Sequence, residues 1–588
     1  MCIRDRHETV SLGKAEAGAQ TALAALAQGN FLQKLWKKDP SAWSAEPQHA
    51  AIIKNALGWV AVPELLHEHV ADLVTFAHTV HDEFDHVVVL GMGGSSLAPD
   101  VMRETFGAKD DYPRLHVLDS SDPAQIHALD QALDIARSLF IVSSKSGTTT
   151  EPDAFFRYFY ERTQKVVGAS NAGNHFVAIT DPDTKLHKEA QAHRFRKIFV
   201  NPPDIGGRYS ALSYFGMAPA AIAGYDVARI IDRALGALHA AGSSVDPSTA
   251  PGVRFGAALG ALAKAGRDKL TIVTHPRVAA FGYWVEQLIA ESTGKSGTGI
   301  VPIEGETLGK AEVYGTDRVF AFVGDRLPDA PPELLNSLTA LENAGHPVIR
   351  LAMNDLFDIG EQYYLWEIAT AAAGSVLGID AFDQPNVQES KDNTKRLLDQ
   401  LKTSRDNVFD EPTADIVASN VAVTALSGSK ERPLGDDLTS ALAVIMQQVR
   451  PGDYVALNAY IPRFPEHIEA LQAIRLKIRD AKRVATTVGF GPRFLHSTGQ
   501  LHKGGPASGV FLQLTADPPF DLPIPGMVPF GILERAQALG DFESLDKRKR
   551  RGARIHFWGD VAAGLSALAS AIDAVSYTHL TLPTILRV

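Results

Sequence analysis

Leu139-Phe140-Ile141-Val142-Ser143-Ser144-Lys145-Ser146-Gly147-Thr148-Thr149-Thr150-Glu151-Pro152 is an apolar run that passes directly into hydroxyls, one ammonium and one glycine. A short apolar run closed by turn residues reads as a strand buried on both faces, which is what a parallel sheet covered by helices requires. Beyond the loop, Thr150 is placed to cap a helix, Pro152 falls in its first turn, and Asp153 completes a hydroxyl-to-acid capping pattern. Strand, polar loop and helix start in that order leave unpaired N–H groups and the positive end of a helix beside the loop, where an anion is stabilised. All but one of residues 143–150 carry a hydroxyl or an ammonium, and the exception is Gly147. That set suits the oxygens of a phosphate monoester. Capping alone would explain some of it, but capping requires neither a lysine nor a run of hydroxyls.

Outward from this stretch the same pattern repeats. Residues 87–90, 115–118, 139–142, 176–179 and 197–200 are apolar runs of strand length, separated by segments long enough for helices. Strands alternating with helices predict a parallel, doubly wound sheet, with ligands at the carboxyl ends of the strands. Two more polar loops lie at such ends. Gly91-Met92-Gly93-Gly94-Ser95-Ser96 is glycine-rich but lacks the third glycine of a G-x-G-x-x-G dinucleotide fingerprint, so a tight turn approaching a sugar phosphate fits it better than a nicotinamide site. In Asn201-Pro202-Pro203-Asp204-Ile205-Gly206-Gly207-Arg208-Tyr209-Ser210, two glycines let the chain turn sharply and aim the guanidinium of Arg208; a surface ion pair is the plainer use of that arginine.

A Gly-, Ser- and Pro-containing linker at 240–251 separates this unit from a second one. Its strands are expected at 270–273, 318–323 and 348–352 and a helix at 363–376. Between the first two strands, Phe281, Trp284, Val285, Leu288 and Ile289 form the buried stripe of a helix. Glu291 falls near the end of that helix, against the dipole, a setting that suits a proton acceptor. Lys391 lies one helical turn into the segment that follows Pro385. Residues 408–436 are mixed and turn-rich, and 454–457, 466–481, 510–514 and 555–558 supply further β and α segments. Among them lies Leu495-His496-Ser497-Thr498-Gly499-Gln500-Leu501-His502, whose histidine spacing is poor for a metal. Residues 7–84 read as a helical layer. Residues 1–6 and 575–588 match neither the periodicity nor the alanine-rich style of their neighbours and are read as artefact tails.

With 588 residues, about two to four domains are expected. A net charge of −11 argues against nucleic acid as a partner, and the basic run 547–551 reads as a solvated face. The single cysteine, Cys2, builds neither a disulfide framework nor a thiolate metal site, and no apolar run reaches the roughly 18 residues of a membrane span. A cytoplasmic protein is the expectation.

Taken together, Gly91 to Ser95 with its glycines, Ser144-Lys145-Ser146-Gly147-Thr148-Thr149, Gly206-Gly207-Arg208-Tyr209-Ser210, Glu291-Ser292-Thr293-Gly294-Lys295 and Asp383-Gln384-Pro385 through Lys391 resemble the glucose-6-phosphate isomerase family, in the form found in fused transaldolase/glucose-6-phosphate isomerase proteins. The resemblance implies an α/β fold of two doubly wound parallel-sheet sugar-isomerase domains, at 85–240 and 251–404. An N-terminal helical segment at 7–84 precedes them and an additional α/β segment at 405–573 follows. It implies interconversion of glucose 6-phosphate and fructose 6-phosphate. In that reading Ser144, Lys145, Ser146 and Thr149 hold the phosphate, with Ser95 and the backbone of Gly93 and Gly94 beside it. Glu291 is the base, Arg208 stabilises the enediolate, and Lys391 assists ring opening. His496 matches the ring-opening histidine, although its motif follows both Glu291 and Lys391, about two hundred residues beyond the glutamate, whereas in most members it lies between them. No cofactor and no metal are implied, the partner is a small sugar phosphate, and a homodimer is expected. A non-catalytic phosphosugar sensor, or an isomerase that also accepts mannose 6-phosphate, are the alternatives.

Overall fold

Five parallel strands form the first sheet, in the order Arg114–Leu118, His86–Leu90, Ser138–Ser143, Phe176–Thr180, Lys197–Val200. The computed structural model describes residues 3–4, 8–44, 46–403, 414–418, 420–430 and 433–580. Alternate residues of the sheet serve two separate cores, because successive side chains of a strand point to opposite faces. Val87, Val89, Leu139, Ile141, Val177 and Ile179 face one, and Val88, Leu90, Phe140, Val142, Phe176 and Ala178 the other. Burial on both faces is why these strands read as unbroken apolar runs. The strand order reverses between His86–Leu90 and Ser138–Ser143, and a crevice opens at such a reversal. The loops 91–96 and 143–149 both leave from it.

The second sheet has four parallel strands, Val301–Ile303, Lys269–Thr274, Arg318–Val323 and Val348–Leu351, and the short segment Glu8–Ser11 adds antiparallel to its edge. Ile3–Arg4 pairs with that edge in turn. The expectation of helices throughout 7–84 is therefore corrected at its start. Val10 is the one apolar residue of Glu8–Ser11, so no period of two was there to be read. The third sheet follows the same plan: parallel Ala485–Phe490, Tyr454–Tyr460, Gly509–Ala516 and Arg551–Phe557, then antiparallel Val421–Ala425 and Ile416–Val417. Besides the segments at the N-terminus and the two-residue Ile416–Val417, three strands lie outside the sequence expectation: Val301–Ile303, Val421–Ala425 and Ala485–Phe490. The first has three residues, and the other two sit among turn residues.

Helices cover the sheets. Pro251–Lys264 lies against Ile359–Leu377 through Gly252, Gly256 and Gly260, one helical turn apart on one face. A Cβ on Gly256 would stand 2.2 Å from the carbonyl oxygen of Ala369, so only glycine permits this approach. The last helix, Val561–Leu580, runs past the point where the sequence reading begins its foreign tail, and Val575 is buried with Leu568 and Ile572. Residues 1–2, 5–6 and 581–588 of the two tails lie outside the described residues, as does the boundary at 404–405. The basic run 547–551 is a solvated face only in part: Lys547 and Lys549 are exposed, but the arginines at its end are tied down. Arg550 is buried and donates to the carbonyls of Lys503 and Gly505, both at 2.9 Å, and Arg551 forks onto Asp453 with two bonds of 2.8 Å. No helix among the described residues is long and apolar enough to cross a membrane.

The third unit meets the other two through apolar packing, Phe530 and Leu533 against the first and Tyr454 and Leu501 beside Val301 and Ile303 of the second, and through charge. Arg493 reaches Asp100 at 3.1 Å and Asp119 at 2.9 Å, and the guanidiniums of Arg463 and Arg493 lie 5.0 and 5.1 Å from the ring centre of Tyr283. Glu286 accepts from Ser497 across this junction at 3.2 Å. Burial, then the neighbouring Glu304, push Glu286 up to about 8, against the pull of Arg493. A carboxyl whose folded value is raised contributes stability that is complete below its ordinary range and is lost as pH rises through the folded value. Thermal melts between pH 5 and 8 should therefore show a fall in stability, and Glu286→Gln should flatten it. A slope unchanged by the substitution would assign the fall to other groups.

Candidate active site

The hydroxyl loop is built by a glycine turn. Gly147 has φ +64°, and a Cβ there would come within 2.8 Å of Thr184 and of the Leu186 nitrogen, so no other residue fits. The Ser144 amide donates to the Ile179 carbonyl at 3.0 Å, tying the loop to the next strand. The Ser144 hydroxyl donates to that of Thr149 at 3.3 Å, and the exposed hydroxyls of Ser146 and Thr148 lie 3.0 Å apart. The helix is Thr150–Val167, and its cap position is held by Thr149, with no side-chain cap bond. Thr150 is thus the first helical residue rather than the cap, and the first amides of the helix are not closed off by a side chain. Lys145 bonds to the Asp181 carboxylate and, at 2.8 Å, to the Pro203 carbonyl.

Two glycine turns press together at the crevice. A Cβ on Gly94 would lie 1.9 Å from the Gly207 carbonyl oxygen, and one on Gly93 would meet Gln287 Nε2 at 2.8 Å and the His496 carbonyl oxygen at 2.9 Å. The turn 91–96 therefore touches the loop of Arg208, the helix of Glu291 and the loop of His496 at once. Ser95 is buried in this turn and its carbonyl accepts from the Ser143 hydroxyl at 2.9 Å.

Arg208 is buried and every donor face is engaged. Nε donates to Ser292 Oγ at 2.7 Å, Nη2 to the carbonyls of Ala381 at 2.7 Å and Asp383 at 3.0 Å, and Nη1 to Gln384 Oε1 at 3.3 Å. Nη1 also stands 3.7 Å from Glu291 Oε1. Glu291 sits in the last turn of the helix Phe281–Thr293, buried, and Oε2 accepts from Gln287 Nε2 at 3.1 Å. Lys295 just beyond is held by Asp383, and burial, then Arg208, bring it down to about 8 against the pull of that carboxylate.

His496 comes from the third unit, in the turn Arg493–His496 after the strand Ala485–Phe490. Its Nε2 lies 3.1 Å from Glu151 Oε1, and its carbonyl accepts from Gln287 Nε2 at 2.6 Å. Gln287 therefore joins the base candidate to the histidine loop. Glu151 also accepts from Gln537 Nε2 at 2.6 Å, and Gln537 accepts from Ser121 Oγ at 2.8 Å. Burial raises the Glu151 carboxyl, but the His496 imidazole and Lys391 outweigh it and hold it below the usual carboxylate range. Lys391 is exposed on the helix Val387–Thr403 and, with Thr149, Glu151, His496 and Gln537, lines a cleft of about 440 Å³.

Of the residues singled out from the sequence, Thr149, Lys391 and His496 line this cleft. Arg208, Glu291, Ser95, Gly93 and Gly94 stand in the wall of turns beside it, linked to it by Gln287. Ser144 and Ser146 belong to the hydroxyl loop, and Lys145 faces Asp181. Sequence reasoning missed Glu151, Gln287, Gln537 and Asp181 as site residues. Only Gln287 carried a signal, four residues before Glu291 on the same helix face.

The family model of phosphoglucose isomerase matches residues 70–241. The chain is 30% identical over 391 residues to a glucose-6-phosphate isomerase of Symbiobacterium thermophilum, covering 58% of this chain and 86% of that one. A glucose-6-phosphate isomerase of Parabacteroides distasonis is 27% identical over 393 residues, 58% of this chain and 87% of the relative. Among solved structures, a glucose-6-phosphate isomerase from Chlamydia trachomatis matches in fold with a TM-score of 0.56 at 18% identity, over 68% of this chain and 90% of its own.

Proposed function

Since the chain belongs to the glucose-6-phosphate isomerase family, we propose that it interconverts glucose 6-phosphate and fructose 6-phosphate through an enediolate, with Glu291 as the base and without a metal. The observation that carries this reading is the convergence of two pairs, Glu291 with Arg208 and Glu151 with His496, around the turn 91–96 beside the hydroxyl loop.

The exchange needs an acid to open the sugar ring, a base to carry a proton between C2 and C1, and a cation to stabilise the enediolate oxygens. His496, held by the Glu151 carboxylate, is the acid, with Lys391 assisting from the helix across the cleft. Glu291 carries the proton. Arg208 is rigidly held by four acceptors and faces Glu291, so charge that develops on the substrate oxygens meets a cation already in place. The phosphate is held by the hydroxyls of Ser144, Ser146 and Thr149, by the open amides at the start of the helix Thr150–Val167 and by Lys145, with Ser95 and the backbone of Gly93 and Gly94 beside it.

The test is a coupled assay of the purified chain with fructose 6-phosphate, following glucose 6-phosphate with and without EDTA. Activity that survives chelation is the expected result. Phosphosugar binding without turnover would favour the sensor reading instead. For Lys145→Ala, KM should rise about tenfold or more while kcat changes little, because the phosphate is bound equally in ground and transition states. An unchanged KM would move the phosphate away from this loop.

A further inference from the structure

Arg208 owes its position to a loop, and that loop is held in turn by the N-terminal helical segment. The guanidinium bonds to the carbonyls of Ala381 and Asp383. The carboxylates of the same loop have partners of their own. Asp383 Oδ1 accepts from Lys295 Nζ at 2.6 Å, and that ammonium also reaches the Asp383 carbonyl at 2.7 Å. Asp380 Oδ1 accepts from the Phe382 amide at 2.9 Å, which closes the turn, while Oδ2 faces His49 Nδ1 at 3.0 Å. His49 Nδ1 is also 3.5 Å from Asp383 Oδ2. His49 belongs to the helix Pro47–Lys54, which the sequence suggests is mere covering. The same segment grips the loop a second time, through Trp43, whose ring packs edge-on to Phe382 at 5.0 Å. It grips the loop of Arg208 itself as well, through Lys38 on Asp204 at 2.5 Å.

We propose that His49 is a positioning residue for Arg208: by bridging Asp380 and Asp383 it fixes the carbonyls that aim the guanidinium at the reacting oxygens. The inference rests on the reading of Arg208 given above. His49, Asp380 and Asp383 also bring three ligand atoms within 4.8 Å of one another, the spacing of a cation site. The ammonium of Lys295 argues for a charge clamp instead, because it already sits on Asp383, and a divalent ion on that carboxylate would be repelled by it. The imidazole is the most exposed member of the cluster, at 28% against 12% for Asp383 and 1% for Asp380, so it can be changed without opening the core.

The experiment compares His49→Ala and His49→Asn with the parent chain and with Arg208→Lys, measuring kcat, KM and melting temperature with and without EDTA or added zinc. A displaced guanidinium costs rate rather than affinity. His49→Ala should lower kcat about tenfold or more with KM within about twofold. His49→Asn, whose amide can donate to Asp380 where Nδ1 did, should restore most of the rate, and neither chelation nor zinc should matter. The inference is overturned if both variants keep the parent kcat, if both lose rate and melting temperature equally, or if chelation abolishes the parent's activity but no longer affects the His49 variants. Arg208→Lys separates the two levels. A normal kcat there overturns the role of Arg208 itself, whereas a large loss beside an unaffected His49→Ala overturns only the role of His49.

Discussion

Glu291→Gln is expected to lower turnover by roughly 10²–10⁴-fold, the range that a positioned general base supplies, while fructose 6-phosphate still binds with nearly parent affinity. The side chains have the same shape. The Gln287 amide that donates to Glu291 Oε2 can donate to the new amide oxygen, and Arg208 keeps its four acceptors on Ser292, Ala381, Asp383 and Gln384. What is lost is the capacity to take a proton. Binding measured by calorimetry on this nearly inactive variant, beside kcat from the coupled assay, separates the two effects. Equal losses in both would make Glu291 a structural residue.

The second large effect is expected at the histidine supplied by the third unit. His496→Ala should slow reaction of the cyclic sugar roughly 10²-fold and leave an open-chain analogue nearly untouched, because only the first must be opened by an acid. Glu151→Gln should give the same pattern with a smaller loss. Its carboxylate lies 3.1 Å from Nε2 and orients the ring without itself reaching the ring oxygen of the sugar. A loss independent of ring form in both variants would remove His496 from ring opening.

What the sequence makes legible follows from how far each signal extends along the chain. The five strands of the first sheet were legible because burial on both faces leaves an unbroken apolar run, and the two glycine turns and the hydroxyl loop stand directly at strand ends. Edge strands such as Glu8–Ser11, with one buried apolar residue, carry no such signature. Partnerships are harder still. Glu151 and His496 are 345 positions apart, and nothing in either neighbourhood names the other. The same holds for Lys145 with Asp181 and for His49 with Asp380, 331 positions apart. The late position of the His496 motif looked anomalous in sequence because it belongs to a different sheet. In space that sheet brings it to the turn of Gly93, beside the helix of Glu291.

The central claim is that a side-chain base moves a carbon-bound proton through an enediolate. The most direct measurement is the isomerisation of fructose 6-phosphate by the chelated protein in D₂O, with the C2 position of the glucose 6-phosphate analysed for deuterium. A base that holds the proton within reach of solvent exchanges part of it, so the expected product carries deuterium at C2 and forms at an unchanged rate in EDTA. Product free of deuterium, formed only when a metal is restored, would contradict the account.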